Sequence, residues 1–108
     1  MSNYNEITTL EARQLITEKN PIILDTRDAH SYKEGHIDGA MHSHDGLVEG
    51  LIKKRNTSQH VIIYCYHGNA SKDLADLFGN FGFKNVHSLM GGYVAWKKTE
   101  SELNSAMI

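Results

Sequence analysis

One cysteine and one proline are all that this chain of 108 residues holds of either type. A lone thiol cannot close an intramolecular disulfide, which excludes an oxidatively stapled scaffold. Net charge is also slight, at -2. With no Lys/Arg stripe and no RNA-binding motif, nucleic acid is not an expected partner. The short cluster Lys53-Lys54-Arg55 reads as the solvated, cation-favouring end of a helix. No apolar run approaches the ~20 residues of a membrane span, so no membrane is expected either. Met1-Ser2-Asn3-Tyr4-Asn5 lacks the basic and apolar regions of a signal peptide. The expected location is a reducing cytoplasm, which would also keep the single thiol usable. Internal repeats, linkers and low-complexity segments are absent as well.

What remains is an ordinary globular composition, 40% hydrophobic. The length suits one compact domain over residues 1–108 with its own core. Thr8-x-x-Glu11 fits a capping box, and Leu10, Leu15 and Ile16 share one side of the helix that follows. Asn20-Pro21 ends it. Ile22-Ile23-Leu24 is short and apolar, the mark of a strand buried on both faces. Asp28 is a candidate cap for a short helix over Ala29 to Glu34, closed by Gly35. Gly39 to His42 reads as extended, and Asp45 as the cap of a helix carrying Leu47, Val48, Leu51 and Ile52. A second buried strand follows at Val61-Ile62-Ile63-Tyr64. Leu74, Ala75, Leu77, Phe78 and Phe81 then recur at helical spacing until Gly82. Val86 to Leu89 makes another strand, and Gly91-Gly92 introduces a last short helix with Val94, Ala95 and Trp96. The polar tail, 100–108, is expected to fray. Buried strands alternating with helices predict an α/β fold, a mostly parallel central sheet with helices on both faces. Ligands in such sheets bind beyond the carboxyl ends of the strands.

Cys65 sits at one of those ends. It closes the strand Val61–Tyr64 and precedes a polar, glycine-containing stretch leading to a helix near Ser71. A thiol attacks only as the thiolate, whose unperturbed pKa is ~8.5. No proline interrupts residues 66 to 71, so every backbone N–H there can donate, and a loop curled around the sulfur would form an anion-binding nest. The following helix presents its positive end to the same loop. Lys72 offers one nearby cation, and Gly68 permits a positive φ in so tight a turn. Such a cradle suits a sulfur anion and also a tetrahedral oxyanion. Two chemistries are therefore open: sulfur transfer through a persulfide, and attack on phosphate or arsenate as in Cys-x5-Arg phosphatases. The second needs an arginine fork six residues after the cysteine, and this chain has Ser71 there, with Lys72 one place late.

Four motifs, in order, carry a resemblance. They are Leu24-Asp25-Thr26-Arg27-Asp28, Tyr32-Lys33-Glu34-Gly35-His36-Ile37-Asp38-Gly39-Ala40, Tyr64-Cys65-Tyr66-His67-Gly68-Asn69-Ala70-Ser71, and Leu89-Met90-Gly91-Gly92-Tyr93-Val94-Ala95-Trp96. With them the chain resembles the rhodanese-homology family, and within it the small single-domain bacterial thiosulfate sulfurtransferases of the GlpE type. The likeness spans about residues 7–98. It implies ping-pong sulfur transfer from thiosulfate to a thiophilic acceptor such as cyanide or a dithiol, with sulfite released and no cofactor. It implies that Cys65 is the persulfide site. It also implies that the backbone amides of Tyr66, His67, Gly68, Asn69 and Ala70 hold the terminal sulfur, with Ser71 completing the substrate-binding loop. A thiol or dithiol acceptor, such as a thioredoxin-like protein, is the implied partner. A sulfur-carrier module loaded by a protein donor is the alternative within the same chemistry. A binding domain that merely kept the fold would need no thiol. The two-domain rhodaneses place cations directly after the cysteine, whereas Tyr66 and His67 stand here, and His67 with an unperturbed pKa of ~6.5 replaces them only in part at neutral pH.

Other polar residues read as structural. Asp25 and Arg27 lie two apart and can face the same side, with Arg27 expected to brace neighbouring loops through Asp28 or Glu34. His36 reads as a hydrogen-bonded structural histidine, and Trp96 as a core residue. His42-x-His44 lacks the third ligand a catalytic zinc site needs, so no metal is expected.

Overall fold

The computed structural model describes residues 3–106. The chain alternates strand and helix throughout: β1 (Asn5–Ile7), α1 (Thr9–Lys19), β2 (Ile22–Asp25), α2 (Ala29–Glu34), β3 (Met41–His42), α3 (Asp45–Lys54), β4 (Val61–Tyr64), α4 (Ser71–Asn80), β5 (Val86–Leu89) and α5 (Gly92–Ala106). The five strands form one sheet in the order β1-β5-β4-β2-β3, and every pairing is parallel. β4 lies at its centre, with Ile63 opposite both Leu24 of β2 and Ser88 of β5. All four β4 side chains are buried, which is what an uninterrupted apolar run dictates for a central strand covered on both faces.

The period of two divides the core. Ile62 and Tyr64 face Ala12, Leu15 and Ile16 of α1, Tyr32 of α2, and Tyr93 and Trp96 of α5. Ile63 and Val61 face Leu47, Val48 and Leu51 of α3 and Ala75 and Phe78 of α4. Beyond their carboxyl ends, the chain leaves β2 towards α2 on one face and β4 towards α4 on the other. Adjacent parallel strands whose connections part in this way open a crevice between them. The loops that line it are Thr26–Asp28 and Cys65–Ala70.

Several expectations hold. The Thr8–Glu11 capping box is formed in both directions, Asp28 caps α2, and Asn20 adopts a left-handed conformation (φ 46°) as α1 ends. Others need correction. β1 has no counterpart in the sequence reading, because only Ile7 of its three residues is buried and so short an edge strand carries no alternation. His44, not Asp45, is the cap of α3: its Nδ1 accepts the Leu47 N–H at 3.3 Å. The C-terminal segment does not fray at Glu100 but continues as helix to Ala106. α5 is anchored by Trp96 in the core and by a 2.7 Å hydroxyl contact between Thr9 and Thr99. Once a helix is nucleated, good helix formers such as Glu102, Leu103 and Ala106 extend it without a buried face.

Candidate active site

β4 delivers Cys65 to the crevice as a residue only 4% exposed. The chain then turns sharply around the sulfur. The Gly68 N–H points to Sγ at 3.1 Å and the Ser71 N–H at 3.4 Å, while Ser71 Oγ lies 3.5 Å away. Gly68 takes φ +93°, the conformation the sequence called for. The following helix has no side-chain cap, since Ala70 occupies the N-cap. The sulfur itself accepts from the first amide of α4 and so stands where a capping oxygen would.

Loop carbonyls must point away for the amides to point in. α5 supplies their partners: the Tyr93 N–H donates to the Cys65 carbonyl at 2.8 Å, and the Val94 N–H to the Tyr66 carbonyl at 3.2 Å. These are first-turn amides that a helix cannot satisfy internally. Gly92 makes the approach possible. A Cβ built there would lie 2.5 Å from both carbonyl oxygens, and its φ of +59° disfavours a side chain in any case.

The electrostatics follow from this geometry. Burial pushes the Cys65 thiol up, but the Ser71 hydroxyl together with the amides of Ser71, Gly68 and His67 stabilises the thiolate. The net result is a thiol below its ordinary pKa. Lys72 has no part in this: its ammonium pairs with Glu6 of β1 at 3.3 Å, contrary to the sequence reading. His67 contributes its backbone N–H, whereas its imidazole is exposed, tilted beside the Tyr66 ring and without a hydrogen bond among the described residues. Tyr66 reaches the other way. Its hydroxyl meets Asp28 and Ser31, tying the loop to the start of α2. Hydrogen bonds from Tyr66 and Ser31 hold the Asp28 carboxyl well below the usual carboxylate range. Asn69 and Ala70 are exposed at the rim, and the Asn69 carbonyl accepts the Lys72 N–H at 3.2 Å.

Arg27 braces the opposite wall, though not through Asp28 or Glu34. Its guanidinium pairs with the fully buried Asp25 at 2.6 Å, donates to the Gly35 carbonyl at 2.6 Å and stacks 4.0 Å from the Tyr93 ring centre. Burial opposes charge on Asp25, but the Arg27 hydrogen bonds win and its carboxyl is held low. His42 contacts the Arg27 carbonyl through Nε2 at 2.6 Å, so the two histidines of His42-x-His44 serve separate backbone groups. His36 is structural as read, with Nδ1 2.7 Å from the Tyr32 carbonyl and its ring stacked on Tyr32. Sequence reasoning missed the α5 amides and Ser88, whose hydroxyl lies 2.9 Å from Ser71 Oγ. Gly91-Gly92 was a visible signal for the first. A serine within the short strand Val86–Leu89 was the sign of the second.

Comparison with known proteins agrees with this geometry. Residues 8–99 match the family model described as a rhodanese-like domain. A thiosulfate sulfurtransferase GlpE of Coxiella burnetii is 38% identical over 94 residues, covering 87% of this chain and 88% of the relative. One from Pseudomonas putida is 33% identical over 99 residues, covering 92% and 90%. Among solved structures, a rhodanese-like domain protein from Staphylococcus aureus superposes with TM-score 0.70 at 24% identity, covering 85% of this chain and 90% of that one, a likeness of fold.

Proposed function

The chain belongs to the rhodanese-like domain family, and we propose that it is a thiosulfate sulfurtransferase with Cys65 as its nucleophile. The observation that carries this reading is the sulfur of Cys65 held by the amides of Gly68 and Ser71 at the mouth of the sheet. In the first half-reaction the Cys65 thiolate attacks the outer sulfur of thiosulfate. The Sγ–S bond forms as the bond to the sulfonate breaks, and sulfite leaves with the electron pair. In the second, cyanide or a thiolate attacks the terminal sulfur, and the Cys65 thiolate departs. No cofactor is required to balance either step. In this reading the backbone amides of Tyr66, His67, Gly68, Asn69 and Ala70 would hold the outer sulfur of the persulfide, as an anion in a nest; the Gly68 amide at 3.1 Å from Sγ supports it. Ser71 closes that loop.

The acceptor is a thiol or dithiol, for which a thioredoxin-like protein has suitable chemistry. A reducing cytoplasm is the compartment in which a lone thiol stays reduced. Among the described residues no helix is long and apolar enough to cross a membrane. Phosphoryl or arsenate chemistry is disfavoured by the fully buried Ser71, which offers no fork to equatorial oxygens.

One observation favours a second reading, a carrier loaded by a protein donor. No cationic side chain follows Cys65 directly, and Lys72 is engaged by Glu6, so little is available to hold a free sulfonate. Intact-protein mass after incubation with thiosulfate separates the two. The enzyme gains one sulfur, cyanide removes it, and Cys65→Ser gains none. Absence of uptake by the wild type would overturn thiosulfate as donor and leave the carrier reading.

A further inference from the structure

Ser88 lies in β5 on the face that packs α4, two residues beyond Val86 of the core cluster on that face and so pointing the same way. It is 1% exposed, and Ser71 is 0% exposed. The two hydroxyls are 2.9 Å apart, and Ser71 Oγ is in turn 3.5 Å from Cys65 Sγ. Among the described residues, the Ser88 hydroxyl has no other hydrogen-bond partner. A buried O–H left without an acceptor is costly, so the Ser88 proton belongs on Ser71 Oγ. Ser71 then accepts from Ser88 and has its own proton free for the sulfur.

We propose that Ser88 is a positioning residue for the nucleophile: by donating to Ser71 Oγ it commits the Ser71 hydroxyl to donate to the Cys65 thiolate. The arrangement rests on the reading of Cys65 as nucleophile. It favours the anion over the neutral thiol, because the Ser71 proton directed at Sγ bonds more strongly to a thiolate than to the weakly accepting sulfur of a thiol. It also places the cue for ionisation in a strand separate from the cysteine loop, reached through one hydroxyl. Of the groups stabilising the thiolate, the Ser71 hydroxyl stands first, ahead of the backbone amides.

The test is the pH dependence of Cys65 alkylation by iodoacetamide in the full chain, which needs no sulfur donor. Ser88→Ala should move the alkylation midpoint upward by about half a pH unit or more. In a Ser71→Ala background the same change should move it no further, since Ser88 acts only through Ser71. An unmoved midpoint in Ser88→Ala, or an equal shift in both backgrounds, would overturn the proposal. Should Ser88→Ala fail to fold, Ser88→Thr and Ser88→Val serve instead. They share a shape and differ in the hydroxyl, and only Val should raise the midpoint. Sulfur uptake by the wild type is read separately by mass. A protein that takes up no sulfur yet shows the coupled shifts refutes the donor assignment and supports Ser88. One that takes up sulfur without those shifts does the reverse.

Discussion

The backbone N–H of Tyr93 donates to the carbonyl of Cys65 at 2.8 Å, joining the first turn of α5 to the residue proposed as the nucleophile. Through this bond the last helix orients a loop 28 positions earlier in the chain. The closeness it requires is set by Gly92, whose missing Cβ would otherwise meet two carbonyl oxygens.

Gly92→Ala should therefore disable the site more than it disturbs the fold. Its methyl would lie 2.5 Å from the carbonyls of Cys65 and Tyr66, at φ +59°. The strain is on the order of 1–3 kcal/mol, relieved by pushing the loop away. Sulfur transfer from thiosulfate to cyanide should fall by about 5- to 150-fold, the rate equivalent of that energy. Thermal unfolding should still show one cooperative transition. Wild-type turnover in this variant would mean the α5 contact does not shape the loop.

The lowered thiol makes a signed prediction. The alkylation midpoint of the wild type should lie below the ~8.5 of a free cysteine. Because the folded pKa is the depressed one, the stabilisation is fully present above the unfolded value and is lost as pH falls through the folded value. Urea unfolding midpoints should accordingly rise with pH across that window in the wild type and show no such rise in Cys65→Ala. A midpoint at or above that of a free thiol would refute the amide cradle as a source of thiolate stability.

Tyr66 and Asp28 are coupled in the same way on the outer wall. Tyr66→Phe removes the leading hydrogen bond that holds the Asp28 carboxyl low. The Asp28 titration followed by NMR should move up towards the ordinary carboxylate value of ~3.9. Its contribution to stability, present above that value and lost as pH falls, should shrink in the variant. An unchanged Asp28 titration would show that Tyr66 does not tether the loop to α2.

Asp25→Ala would leave the Arg27 guanidinium buried without its partner. Removing one member of such a pair typically costs about 3–5 kcal/mol. The urea unfolding midpoint should drop accordingly, with the m-value unchanged. A loss under about 1 kcal/mol, the range of exposed pairs, would argue that Arg27 finds other compensation, such as the Gly35 carbonyl.

Much of the fold was legible because its information is local. Two of the five strands, β2 and β4, announce themselves as short apolar runs, and α1, α3 and α4 as helical spacings with recognisable ends. The site was legible to the same depth. A cysteine closing the central strand, an unobstructed run of amides, a glycine suited to positive φ and a helix start are all read within ten residues.

The tertiary structure decided what depends on partners far along the chain. β1 exists because it pairs β5, with Ile7 opposite Leu89, not because its own three residues prefer a strand. Lys72 looks close to Cys65 by position, yet the first turn of α4 points it at Glu6. Arg27 was free to choose among three acidic neighbours, and burial selected Asp25, the one carboxylate sealed from water beside it. Ser88 and the α5 amides carry no local signature, because a hydroxyl or an amide acquires a chemical role only from what it is packed against. Local sequence alone marked Cys65 as the candidate nucleophile, at a strand end and followed by a run of donor amides. Only the packing of α5 and β5 around that loop decided which way the amides point and which hydroxyl stands behind the sulfur.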